Sequence, residues 1–265
     1  MMKVYGVVTM DLVRSREMDD RSRVQQKLDE CINKINNKYR EFLAAPIGFT
    51  TGDEWQALLY NPSKCYSIIE EFQQYLWTLD ILFYAGIGIG ELSTEVYKEV
   101  NKMDGPCFHM AREAINIAKG EGNGRRKYRA SKKNRVYFFG GEGGLISGRD
   151  KRIMTDAFDE AAFSVILNDK EEEKLFNIKF LEDIINTLIE NNEVLKSRMT
   201  NKQKQTYMDY LELGSYRKIV ESRNNETIGA ISQRLNSADF FTIQKNNIMI
   251  ERLLGYYAML KEVEA

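Results

Sequence analysis

Two carboxylates stand side by side in Phe49 to Leu59, FTTGDEWQALL, between two runs of strand-forming residues. A tight hairpin needs only Gly52-Asp53, where Gly tolerates positive φ and Asp bonds its own backbone. Glu54 is surplus to that turn. A third acid, Asp11, ends the nearly continuous apolar stretch KVYGVVTMDLV. Carboxylates packed together repel one another, and a cation relieves the repulsion. Oxygen donors without His or Cys suit Mg²⁺ or Mn²⁺, which take one or two carboxylates and complete their shell with phosphate oxygens. Asp11, Asp53 and Glu54 are therefore candidate metal ligands. After Asp11, LVRSREMDDR offers Arg14, Ser15 and Arg16 as phosphate contacts near the positive end of a helix. Singly, a Gly-Asp turn and an Asp-plus-Ser helix start are ordinary structure; their conjunction is what points to a site.

The elements must bring these residues together. The stretch ending at Asp11 reads as a central strand covered on both faces. Val24, Leu28, Cys31, Ile35, Tyr39 and Phe42 recur at helical spacing and predict a helix from Asp19 to Leu43. PIGFTT and EWQALLY read as strands joined at Gly52-Asp53. Cys65, Ile68, Ile69, Phe72, Leu76 and Leu79 mark a second helix, and DILFYAGIGIGEL a strand. Its Gly86, Gly88 and Gly90 allow close approach of a ligand or of a helix. GPCFHMAREAINIAKG is a third helix and NRVYFFGG a further strand. The order is β-α-β-β-α-β-α-β, whose first six elements have the ferredoxin-like arrangement. There strand three lies antiparallel beside strand one, which carries Asp11 to Asp53 and Glu54.

Beyond residue 120, GRRKYRASKKNR is a basic run that suits nucleic acid, a triphosphate or simply water. GGEGGLISGRD reads as a break between domains and lacks the Gly-Lys-Ser/Thr of a P-loop. TDAFDEAAFSVILND and the segment after it predict connecting helices. The following helices fit a helix-turn-helix with a core of Tyr207, Leu211, Ile219, Val220, Ile228, Ile231 and Leu235. The reading helix, starting near Glu226, would expose Thr227, Ser232, Gln233 and Arg234 to DNA. A plain helical bundle used for dimer contacts is the alternative. The expected division is 1–140, an α/β (α+β) sheet domain; 141–198, connecting helices; and 199–265, an all-α helix-turn-helix-like domain.

VTMDLVRS, TTGDEWQALL, YAGIGIGEL and GPCFHMAREAI resemble, in order, four elements of the class III nucleotidyl cyclase and GGDEF-type catalytic fold. GVVTMDLVRSREMDDR, TTGDEWQ and GPCFHMAREA more closely resemble the SatD family. The cyclase resemblance implies a nucleotide held through two metal ions at Asp11 and Asp53, with Glu54 as a further ligand. His109 stands where the cyclases place an Asn, and Arg112 falls one residue early. Thr51 replaces the first Gly of GGDEF. The resemblance thus implies nucleotide binding rather than cyclisation or cyclic-dinucleotide synthesis. Arg112 shares a helix face with His109 and is a further phosphate contact.

Composition bounds these readings. The chain has 265 residues, with Lys+Arg 38 against Asp+Glu 39, so no general basicity argues for nucleic acid. Its three cysteines, Cys31, Cys65 and Cys107, lack CxxC spacing and read as reduced core thiols. A single His excludes a histidine-based metal site. The start shows no basic-then-apolar leader, and no apolar run reaches the roughly 20 residues needed to span a bilayer. The expectation is a cytoplasmic, nucleotide-binding, Mg²⁺- or Mn²⁺-dependent homodimer with no membrane contact. An active cyclase or nucleotidyltransferase and a metal-free scaffold are the competing expectations.

Overall fold

The computed structural model describes residues 3–17, 20–120, 133–141, 170–223 and 226–264. It is a mixed α/β structure built on a five-stranded mixed sheet. In chain order the elements are β1 (Tyr5–Leu12), α1 (Arg21–Lys38), β2 (Leu43–Thr51), β3 (Glu54–Leu59), α2 (Cys65–Trp77), β4 (Phe83–Gly90), α3 (Pro106–Lys119) and β5 (Val136–Phe139). Among the described residues five further helices follow: α4 (Lys170–Lys196), α5 (Asn201–Leu213), α6 (Tyr216–Ser222), α7 (Ile228–Ser237) and α8 (Phe240–Glu264). The sheet order is β2-β3-β1-β4-β5. β1 is central and runs antiparallel to both β3 and β4, while β5 joins β4 in parallel.

Alternation along the strands assigns the faces. Val8 and Met10 of β1, Trp55 and Ala57 of β3 and Ile87 of β4 point to one side. There they pack with Leu28 and Cys31 of α1, Ile69 and Phe72 of α2, Ile185 and Ile189 of α4 and Leu254 and Tyr257 of α8. Val7 and Leu58 point to the other side, against Cys107 and Ala111 of α3. α3 lies almost backbone to backbone on β4. A Cβ on Gly86 would come within 2.9 Å of Ile115 Cα, and one on Gly88 within 2.8 Å of Met110 Cβ. The glycine run of β4 therefore makes room for a helix.

α1 ends at Lys38, short of Leu43. Tyr39 and Phe42 keep helical spacing because the turn and the start of β2 enter the same core. A second cluster joins Tyr207, Ile219, Ile231, Leu235, Phe240 and Ile243, with Trp77 of α2 against it. Leu211 and Ile228 are exposed rather than part of this core. Ile228 opens α7 directly after the N-cap Thr227, so its turn lies ahead of the packed part of the helix. TDAFDEAAFSVILND, GGEGGLISGRD after Gly141 and most of the basic run lie outside the described residues. No helix among the described residues is long and apolar enough to cross a membrane.

Candidate functional site

Asp11 and Glu54 are direct partners in the β1–β3 register. Opposite residues of an antiparallel pair share a face with their Cβ atoms about 4.5–5.5 Å apart, so like charges there destabilise. The next pair on the same face, Thr9 and Gln56, is buried, and the Gln56 amide donates to the Thr9 hydroxyl at 3.0 Å. Asp53 sits in the two-residue turn behind Glu54, after Gly52 at φ 63. It is half-buried, and its charge opposes ionisation of Asp11.

α3 supplies the balancing charge. Arg112 grips Glu54 with both guanidinium branches, Nη2 lying 2.6 Å from Oε1. The Thr50 hydroxyl donates to the same Oε1 at 2.8 Å. Lys119, the last residue of α3, pairs with Asp11 Oδ2. Residues 112 and 119 are seven apart, nearly two turns of about 3.6 residues each, so both bases leave one helix face. The β4 glycines allow α3 to bring that face down onto the acids.

The electrostatics follow from this burial. Desolvation pushes the Asp11 carboxyl above its ordinary range, against the downward pull of Lys119. The Glu54 hydrogen bonds raise Arg112 further. The Glu54 side chain is only 9% exposed and its Arg112 partner 47%, so the base reaches in from solvent. Three acids and two bases leave the cluster with a net negative charge. Its oxygen donors are of the hard type that Mg²⁺ or Mn²⁺ takes, and Asp11 and Glu54 are each neutralised by a base. Among the described residues, no three His, Cys, Asp or Glu side chains are grouped closely enough to cage a metal. A cation here would rest on Asp11 and Glu54, with Asp53 nearby and ligand oxygens completing its shell.

Sequence reasoning picked out Asp11, Asp53, Glu54 and Arg112, but it missed Lys119 and Thr50. The seven-residue spacing from Arg112 was the available signal for Lys119. Arg14 has φ 54, is exposed and lies 3.8 Å from Glu17. Ser15 begins a short 3-10 turn and is half-buried; the Arg16 side chain lies outside the described residues. The first turn of α1 already has an acceptor, because the Asp20 side chain caps the Arg23 amide at 3.0 Å.

In the C-terminal half, Gln233 is exposed, Ser232 is half-buried, and Thr227 is the N-cap of α7, accepting from the Ala230 amide at 3.2 Å. Arg234 was expected in solvent and is instead 13% exposed. Its guanidinium donates to Glu226 Oε2 and to the Thr206 hydroxyl, both at 2.9 Å. An acid eight residues upstream turns this arginine back into the structure.

The family model described as the SatD family matches residues 5–133, just under half of the chain. The match spans β1 to α3 and so includes all five charged members of the cluster. No curated protein matches the chain.

Proposed function

We propose that the SatD-matched part of the chain is a nucleotide-binding module of ferredoxin-like, nucleotide-cyclase type. It takes a nucleoside triphosphate together with Mg²⁺ or Mn²⁺ at Asp11 and Glu54, with Asp53 beside them. The observation that carries this reading is the juxtaposition of Asp11 and Glu54 across two antiparallel strands, each held by a base from α3. Arg112 is the phosphate contact this geometry supports best. Arg14, Ser15 and Arg16 follow β1 directly and border the same end of the sheet. The module's role is regulatory, with nucleotide occupancy read out by the C-terminal helices. Homodimerisation suits those helices better than DNA reading: Arg234 is held by Glu226, while α8 exposes Phe241, Ile248, Tyr256 and Met259. An active cyclase or nucleotidyltransferase is the second reading, in which the same acids would hold the metal that activates a 3′-hydroxyl.

A thermal-shift series with ATP and GTP, each with and without Mg²⁺, tests the proposal. Ligands that bind the native state raise its apparent stability by mass action. The expected result is a rise that needs nucleotide and metal together and is lost in Asp11→Asn and Asp53→Asn. Asn at position 53 keeps the turn, since it serves there as well as Asp. No metal-dependent rise with either nucleotide would favour a metal-free scaffold, and turnover of ATP or GTP would favour the enzyme. Light scattering on the same samples should report a dimer; a monomer together with salt-sensitive DNA binding would instead restore the DNA reading.

A further inference from the structure

We propose that Arg112 and Lys119 are exchangeable counter-cations. In the ligand-free protein they neutralise Glu54 and Asp11; when a divalent metal and a triphosphate arrive, the metal takes the carboxylates and the two bases turn to the phosphate oxygens. This rests on the function proposed above and assigns Lys119 to the site as a second phosphate contact beside Arg112.

Three observations carry it. The two bases leave one face of α3 and reach two acids that are themselves register partners, so a single displaced helix face would uncover both. Each base occupies a carboxylate that would have to ligate the metal, so metal alone must compete with a positive charge already in place. The Arg112 side chain is 47% exposed and those of Lys119 and Asp11 20% and 19%, so each base keeps a solvent-facing side from which phosphate oxygens can approach. Arg presents a planar fork that matches phosphate oxygens, and Lys a mobile point charge. Metal and triphosphate must then bind weakly alone and tightly together. Each makes room for the other, and by linkage the effect is mutual.

Titration of the full chain separates this from a purely structural ion pair. The probes are Mn²⁺ alone, inorganic triphosphate alone, and the two together, applied to the native protein, Lys119→Met and Arg112→Met. The two bases compete with metal but assist phosphate, so the variants must move the two affinities in opposite directions. Mn²⁺ alone should bind roughly tenfold tighter in Lys119→Met, while triphosphate in the presence of Mn²⁺ should bind roughly tenfold more weakly. A structural pair would weaken both or neither. If the native chain binds Mn²⁺ with triphosphate but Lys119→Met binds Mn²⁺ alone no tighter, the exchange is overturned and the site stands. If the native chain binds no Mn²⁺ even with triphosphate, the site and the exchange both fall. Lys119→Gln, which keeps a donor for Asp11, decides the matter if the methionine variant does not fold.

Discussion

Lys196 shows how single residues hold this molecule. It ends α4 and is 5% exposed, paired with Glu70 of α2 and, at 2.7 Å, with Glu193. It also donates to the Tyr66 hydroxyl at 3.2 Å, while the Asn247 amide of α8 donates to Glu70 at 2.9 Å. Burial by itself would lower Lys196, but two carboxylates outweigh it and hold its pKa well above the ordinary value. A base whose folded pKa is raised contributes stability below its unfolded pKa and loses it only as pH rises through the folded value. Lys196 therefore stays charged through neutral pH and well into the alkaline range. Removing one partner of a buried pair strands the other charge at about 3–5 kcal/mol. Lys196→Met should lose about that much in urea denaturation at neutral pH; a loss under about 1 kcal/mol would mean water reaches the two acids.

At the scale of elements, the packing of α3 on β4 decides where the cluster's bases stand. Overfilling a packed contact costs about 1–3 kcal/mol and sometimes more, because backbone must move. At Gly88 an added methyl meets the Ala111 amide and the Cys107 carbonyl, neither of which can rotate away. Gly88→Ala should destabilise by at least that range. It should also weaken metal-dependent triphosphate binding, since it lifts the helix that carries Arg112 and Lys119. Gly229 in α7 has nothing within 4 Å, so Gly229→Ala is the matched control, expected to stabilise by roughly 0.4–1 kcal/mol. Equal effects of the two substitutions would contradict the close packing. Each edge strand of the sheet also meets one side-chain amide. Asn36 of α1 exchanges bonds with the Ile47 backbone at 2.7 and 3.1 Å, and Asn186 of α4 does the same with Phe138 at 2.9 Å each way. Each amide occupies the outward backbone groups of one edge residue and ties a helix to that edge.

For the whole molecule, α8 joins two cores. Its Ile250, Leu254 and Tyr257 belong to the sheet's cluster, where the Tyr257 ring meets Phe138 edge-on at 4.9 Å. Its Phe240 and Ile243 belong to the cluster of α5, α6 and α7. The two tryptophans report on the two regions: Trp55 is buried in the sheet core, and Trp77 packs on Tyr207 at 5.5 Å. Shared helices couple unfolding, so Trp55→Phe and Trp77→Phe variants should give coincident urea transitions followed by the remaining fluorophore. Separate transitions would show that the second cluster unfolds alone.

Periodicity and turn chemistry were enough to place the strands and helices of the first half. They follow from local rules: a period of two or 3.6, a Gly-Asp turn, an apolar strand covered on both faces. The convergence of Asp11 and Glu54 was also legible, because element order fixes which strands become neighbours, and the register then makes them partners. What occupies the acids was not legible. Lys119 and Arg112 reach them only because α3 sinks onto the β4 glycines, and whether a glycine run admits a ligand or a helix is a question of what lies above it. The inward turn of Arg234 toward Glu226 and the exposure of Ile228 were likewise undetermined, since spacing gives a residue's face but not how far its helix is covered. Local pattern is set by neighbours in the chain, whereas salt-bridge partners and helix coverage are set by residues dozens of positions away, which only the folded backbone brings together.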